Sequence, residues 1–329
     1  MSARLQFEQT GPPLEVLHLV QREPQPLTEH AVRVRMRYAP VNPADLNFIE
    51  GRYGKKPALP AVPGVEGVGE VEEIGSAVTS LKKGDLVIPL EGLGCWSQHV
   101  VAAEHRFAQL PAGLDLVQAS MLRINPLTAW RLLKGYADLS EGDPVVQNAA
   151  NSGVGRALIQ IAKHLGIRSL NYVRRAELIG EMRALGADHV FMDSPEGLNE
   201  AKAVLKGTPL RLAANAVGGD SAVRLMDMLF PEGTMVTYGA MSGQALKVPN
   251  RLLIFKNLNL RGLWITRWIE HAGSAELFES LHPLAEMMRR GELKLAVEEI
   301  VPLSNFRHAI ERAAQDRRAG KIVLDLAAA

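Results

Sequence analysis

The chain has 329 residues, with 37 Lys and Arg against 36 Asp and Glu, a formal net charge of +1, and a single cysteine. That length accommodates two domains with separate cores, the balanced charge gives no footing for nucleic acid or an anionic membrane surface, and a lone Cys95 excludes an internal disulfide and a cysteine-rich zinc site. No run approaches the roughly 18 apolar residues of a membrane span, and the opening MSARLQFEQTGPP lacks the order of a secretory leader, so the expectation is a soluble, cytoplasmic protein.

From Leu5 to about Pro111 the pattern predicts short strands broken by Gly and Pro: VRVRMRYAP, GVGEVEEIG, GDLVIPL and SQHVVAA, a β-rich domain of barrel type. Within it, Asn42, Pro43 and Asp45 form a helix start, with Asn42 as cap, Pro43 in the first turn and Asp45 facing the helix dipole. After Ala119 helical patterns alternate with strands. Pro144 to Gln147 is an apolar strand that runs into a glycine turn, and Ala157, Leu158, Ile161, Ala162 and Leu165 then recur at helical spacing up to a stop at Gly166. A second strand, Ser169 to Val173, ends on Arg174 and Arg175. Four more strands are predicted at HVFM, LRLAAN, TMVTYG and LNLRGLWI, giving six in a doubly wound parallel sheet. The tail holds a helix near Leu277 to Arg290, another capped by Ser304, and a last strand KIVLDL that returns to the β-rich domain.

The strand, glycine turn and helix suit a dinucleotide. Gly153 and Gly155 allow a sharp turn close to a pyrophosphate, and the helix presents unpaired N–H groups and a positive dipole end to it. About 20 residues further on, an acidic side chain would accept from the adenosine ribose of NAD. This chain has Arg174 and Arg175 there, which suit the extra phosphate of NADPH. The same residues, taken without a ligand, make a plain strand-to-helix turn and two solvated arginines.

The segments VNPADLNFIEGRYG, LPAVPGVEGVGEV, INPLTAWRLL, QNAANSGVG, GTMVTYGAM and LLIFKNLNLRGLW together resemble the zinc-free medium-chain dehydrogenases/reductases, and within them the NADPH-dependent 2-enoyl thioester reductases. The resemblance covers nearly the whole chain. It implies an α/β protein with a GroES-like β-barrel catalytic domain, residues 1–120 and 267–329, and a Rossmann doubly wound parallel-sheet domain, residues 121–266. Zinc-dependent relatives carry a histidine where Val65 stands and a cysteine near Asn42, so no metal is expected.

The implied reaction is reduction of an activated C=C bond, with hydride to the β-carbon and a proton to the α-carbon. Tyr53 matches the family's catalytic tyrosine, as acid or as hydrogen-bond donor to the thioester oxygen. Asn42 and Asn125 are implied near the nicotinamide end, Asn151, Ser152, Gly153 and Val154 at the pyrophosphate, and Tyr238, Gly239, Ala240 and Met241 at the nicotinamide ribose. The resemblance also implies Leu263, Trp264 and Ile265 flanking the nicotinamide and Lys321 in contact with the cofactor. Read from residues alone, Asn42 is a helix cap, Tyr53 a loop tyrosine, Trp264 a core aromatic and Lys321 a solvated lysine. Arg123 departs from the family pattern at a place expected to be uncharged, and Ala240 replaces a glycine.

The expected substrate is an enoyl-CoA or enoyl-acyl carrier protein. Arg267, Arg289, Arg290, Arg317 and Arg318 are candidates for its phosphate groups, and the expected assembly is a homodimer. A zinc-free NADPH quinone or enal reductase, and a non-catalytic NADPH-binding protein, are the alternatives.

Overall fold

The computed structural model describes residues 1–23, 25–315 and 317–328, so position 329, the end of the range expected for the β-rich domain, lies outside the described residues. Strands β1 (Ser2–Gln6), β2 (His18–Arg22), β3 (Ala31–Pro40), β4 (Val68–Ile74), β5 (Leu86–Pro89), β6 (His99–Ala103) and β7 (Phe107–Gln109) come first. Next follow β8 (Pro144–Gln147), β9 (Arg168–Val173), β10 (His189–Met192), β11 (Leu212–Asn215), β12 (Thr234–Thr237) and β13 (Asn259–Gly262), and β14 (Val297–Pro302) and β15 (Lys321–Asp325) close the chain. The chain divides into two compact units, Met1–Ile124 with Ile269–Ala329, and Asn125–Trp268.

The first unit carries a seven-stranded sheet in which β14-β15-β3-β4-β5-β7 follow one another and β6 also pairs with β3, beside a two-stranded β1-β2 sheet. Its central strand shows why the sequence alternates. Val32, Val34 and Met36 of β3 are fully buried, while Arg33, Arg35 and Arg37 face Glu73, Glu72 and Glu70 of β4. Phe7, Trp96, Phe107 and Leu324 join the buried side in one core.

The second unit is a six-stranded parallel sheet ordered β10-β9-β8-β11-β12-β13. β8 and β11 are buried along their whole length, as parallel strands covered on both faces must be, which explains why each is apolar up to its final amide, Gln147 and Asn215. Strand order reverses between β8 and β11, and ligands of such sheets bind beyond the strand ends at that reversal. Helix Gly153–His164 buries Ala157, Leu158, Ile161 and Ala162 as its spacing predicts, and Gly166 follows it with φ +69°. The last predicted strand of the sheet is shorter than expected, because the chain enters helix Ile265–His271 soon after β13. Ser304 caps no helix: it lies in the single turn Leu303–Asn305, which runs directly into helix Phe306–Ala314.

Candidate active site

In the second unit the strand ends at the reversal are pinned by buried amides. Gln147 donates to the Gly155 carbonyl at 2.9 Å and to Asn171 Oδ1 at 2.7 Å. Asn148 donates to Asn215 Oδ1 and Ser221 Oγ, both at 2.8 Å, and its Oδ1 accepts from the Ala216 N–H at 2.7 Å. The four amides Gln147, Asn148, Asn171 and Asn215 were missed at the sequence level. A signal was present for three of them: Gln147 and Asn215 end otherwise apolar strands, and Asn148 follows directly on the first.

The turn after β8 is tight. Ala149 has a left-handed φ of +48°, and Ser152 caps the helix by accepting from the Gly155 N–H at 3.1 Å. A Cβ on Gly155 would stand 2.6 Å from the Ala150 oxygen, so the turn itself demands that glycine. A Cβ on Gly153 would stand 2.9 Å from Cγ of Asn125, so the Asn125 amide packs directly over the first residue of the helix. Asn125 Nδ2 and the Tyr238 hydroxyl are both buried without a well-formed hydrogen bond, although the phenol lies beside Ser152. Burial pushes the Tyr238 phenol up from its ordinary value, so it remains a donor. The buried Asn125 Nδ2 lacks an acceptor, and it stands over a glycine turn with no side chain between it and the helix head, which fits the phosphate oxygens of a dinucleotide.

The other predicted residues of this unit fall around the same strand ends. Asn151 gives its carbonyl to Arg156 Nε at 3.1 Å, and Val154 is buried in the helix's first turn. Arg174 and Arg175 follow β9 directly. Arg174 is exposed, whereas Arg175 lies 3.5 Å from Glu177. Gly239, Ala240 and Met241 follow β12, where the Met241 N–H donates to the Ala216 carbonyl at 2.9 Å. Leu263 and Ile265 are buried and Trp264 is half-buried.

The first unit holds a second polar cluster. The Lys321 ammonium donates to Asn42 Oδ1, and Asn42 Nδ2 donates to Glu66 Oε1 at 2.9 Å. The other Glu66 oxygen accepts from the Ile124 N–H at 2.8 Å. Asp45 accepts from the Asn42 N–H at 2.8 Å and the Val65 N–H at 2.7 Å. Asn42 therefore begins the helix, as the sequence predicts, but its side chain serves the cluster. Glu66 is 1% exposed and Asp45 fully buried, and burial raises Glu66 from 4.5 to about 7 and Asp45 from 3.8 to about 6. Burial lowers the Lys321 ammonium to about 8, against the attraction of Glu66. The sequence reading found Asn42 and Lys321 through resemblance and missed Glu66, which links them.

Arg123 now has a physical setting. It is 1% exposed, donates to the Val65 carbonyl, and feels the charges or dipoles of Cys95, Glu66, Tyr53 and Glu91. Tyr53 is half-buried on the turn after helix Pro43–Ile49, with its N–H on the Asn47 carbonyl at 3.1 Å. Among the expected phosphate binders, Arg289 pairs with Glu286 and Arg290 with Glu292, each at 2.7 Å, which leaves little net charge at that helix end.

The chain matches family models described as "Alcohol dehydrogenase GroES-like domain" over residues 28–112, within the first unit, and "Zinc-binding dehydrogenase" over residues 185–324, which includes parts of both units. Fold and site thus define a dehydrogenase/reductase of the alcohol dehydrogenase type. The chain is 42% identical to the mitochondrial enoyl-[acyl-carrier-protein] reductase of Xenopus tropicalis, across 93% of this chain and 90% of that one. It superposes on a putative NADPH:quinone reductase from Bacillus thuringiensis with a TM-score of 0.91 at 28% identity, covering 98% of each chain. The complex of Etr1p with NADP and crotonyl-CoA gives a TM-score of 0.90 at 29% identity, covering 98% of this chain and 99% of that one. The chain belongs to the enoyl thioester reductase branch of the medium-chain dehydrogenase/reductase superfamily.

Two consequences follow. The zinc in the second family description does not fit these residues. Val65 has no donor, both Glu66 oxygens are engaged by Asn42 and Ile124, and Lys321 and Arg123 bring two positive charges to the same place. Burial also pushes the Cys95 thiol up to about 12, so it stays a thiol. The cytoplasmic expectation is overturned, because the curated relatives are named as mitochondrial enzymes. It rested on the absence of a span and of a leader, and neither absence separates one soluble compartment from another. No helix among the described residues is long and apolar enough to cross a membrane.

Proposed function

We propose that the chain reduces the C=C bond of trans-2-enoyl thioesters with NADPH. The observation that carries this reading is the match along nearly the whole chain to an enoyl-[acyl-carrier-protein] reductase, together with the phenol of Tyr53 in the VNPADLNFIEGRYG segment. Bound NADPH would supply the hydride for the β-carbon. The N–H groups at the head of helix Gly153–His164, with Asn151, Ser152 and Val154, hold the pyrophosphate, and Arg174 and Arg175 hold the 2′-phosphate. Asn125 offers its unpaired Nδ2 donor and Tyr238 its hydroxyl beside Ser152, and Gly239, Ala240, Met241, Leu263, Trp264 and Ile265 form the surface toward the nicotinamide. Asn42 and Lys321 stand as a polar pair for the cofactor in the first unit. Tyr53 gives a proton to the α-carbon or a hydrogen bond to the thioester oxygen.

The quinone reading keeps the fold and cofactor, and the Bacillus thuringiensis match favours it. NADPH oxidation measured with crotonyl-CoA, with a naphthoquinone and with no acceptor separates the two. Turnover with crotonyl-CoA is expected, and turnover with the quinone alone overturns the proposal.

The subunit reading is a homodimer. Among the described residues β13 is an edge strand that pairs only with β12, and the preceding helix Asn250–Lys256 leaves Ile254 69% and Phe255 82% exposed. Such an edge and apolar patch call for a cover. Sedimentation should give a dimer that Phe255→Glu weakens. A monomer in the unmodified protein would contradict this.

A further inference from the structure

We infer that the first unit carries a binding site of its own, a cavity between β1, β2 and residues 93–101 that takes a doubly charged phosphate group. The cavity has a volume of about 210 Å³. A cavity of roughly 150 Å³ holds benzene, so there is room here for inorganic phosphate or a small phosphomonoester. The strand register builds one wall. Ala3 and Leu5 of β1 turn into the apolar core, so Ser2, Arg4 and Gln6 share the opposite face. That face is covered as well, since Ser2 is 5% and Gln6 3% exposed. Arg22 of β2 stands opposite Ser2, which sets it diagonal to Arg4 on the same face. The Leu5 N–H donates to the Trp96 carbonyl and the Gln98 N–H to the Ala3 carbonyl, both at 2.9 Å, and this pairing brings Gly94, Ser97 and His99 to the cavity as a second wall. Arg22, Glu23 and Gln25 line it and are exposed, so a solute has a way in.

The charges around the cavity do not cancel. Among the described residues its lining holds three arginines, Arg4, Arg22 and Arg106, and one carboxylate, Glu23. Arg106 is taken by Glu91, and Glu23 lies 3.8 Å from the terminal ammonium of Met1. Neither Arg4 nor Arg22 meets a carboxylate among the described residues. Arg4 donates to the Gln6 amide oxygen at 2.7 Å, and its Nε is buried without an acceptor, so the protein answers this cation with one neutral dipole. His99 adds no charge at neutral pH. Its Nδ1 lies 2.9 Å from Ser2 Oγ and its Nε2 3.2 Å from Glu72, and burial holds it below its ordinary range. Two guanidinium groups on one wall suit a phosphate, whose oxygens accept from both and whose two charges balance both. Val62 and Leu93 offer apolar surface to a short carbon chain. None of these residues belongs to the machinery proposed for the thioester or for NADPH.

Isothermal titration of the full chain tests the site, at constant ionic strength and with NADPH saturating so that Arg174 and Arg175 do not compete. The two ligands are inorganic phosphate and glycerol phosphate. One saturable site is expected, and Arg4→Gln and Arg22→Gln should each weaken it by roughly 10- to 100-fold while the Kd for NADPH stays the same. Tighter binding of glycerol phosphate would support a phosphomonoester as the occupant, and equal binding the free ion. No saturation at millimolar concentrations of either ligand, or unmodified affinity in either variant, overturns the inference. Arg22 is exposed, so its replacement spares the fold. If Arg4→Gln does not fold, Arg22→Gln decides alone.

Discussion

Replacing Glu66 by Gln should change how stability depends on pH, by an amount that follows from the buried cluster. Burial raises the Glu66 carboxyl from 4.5 to about 7, against the opposing pull of the Asn42 amide and Lys321. At about 1.4 kcal/mol for each pH unit, that rise corresponds to about 3 kcal/mol. Between pH 4.5 and 7 the folded protein holds the Glu66 proton that the unfolded chain has released. Stability therefore falls as pH rises through this window, and the contribution is absent above 7. Asp45, raised from 3.8 to about 6, adds a fall of the same sign, but the variant leaves it in place. Gln cannot titrate, so its curve lacks the Glu66 part. Gln also offers one acceptor where Glu66 meets two donors, Asn42 Nδ2 and the Ile124 N–H, which offsets the two curves by a constant. Urea unfolding at a series of pH values from 4.5 to 8 measures the difference between the proteins. It should move by about 3 kcal/mol in favour of Gln as pH rises. Parallel curves would show that Glu66 ionises in the folded protein as it does in the unfolded chain, and the reasoning from burial would be wrong.

Tyr53→Phe should lower kcat by roughly 100- to 10,000-fold, the usual worth of general acid catalysis, with NADPH affinity nearly intact by fluorescence titration; equal turnover would take Tyr53 out of the mechanism. Arg174→Ala should weaken NADPH but not NADH binding by about tenfold or more, and Arg175→Ala by less, since Arg175 already lies against Glu177. Unchanged NADPH affinity in the double variant would refute the phosphate assignment. Gly155→Ala should destabilise by about 1–3 kcal/mol, because its methyl group would meet the Ala150 oxygen at 2.6 Å. An unaltered melting temperature would mean that the turn relaxes freely.

Much of the fold was legible because it depends on local periodicity. The alternation of VRVRMR encodes a sheet with one buried and one charged face, and the apolar runs PVV and LAA encode strands covered on both sides. The glycine turn was legible because close approach leaves few residue types possible, although Gly153 proved to face the Asn125 amide as well. The clusters were not legible. Glu66 drew no reading of its own within LPAVPGVEGVGEV, and only the fold brings it to Asn42 and Lys321, which are 279 positions apart. Arg123 looked out of place for the same reason, since its neighbours Val65, Cys95 and Tyr53 come from distant turns. The compartment was misread because absent signals do not distinguish soluble locations.

The central claim, delivery of hydride to the β-carbon and of a proton to the α-carbon, is tested most directly by isotope placement. Crotonyl-CoA reduced with NADPH deuterated at C4 should yield butyryl-CoA labelled at the β-carbon, and unlabelled NADPH in D2O should place the label at the α-carbon. Label at the α-carbon from the nicotinamide, or no labelled butyryl-CoA at all, would contradict the account.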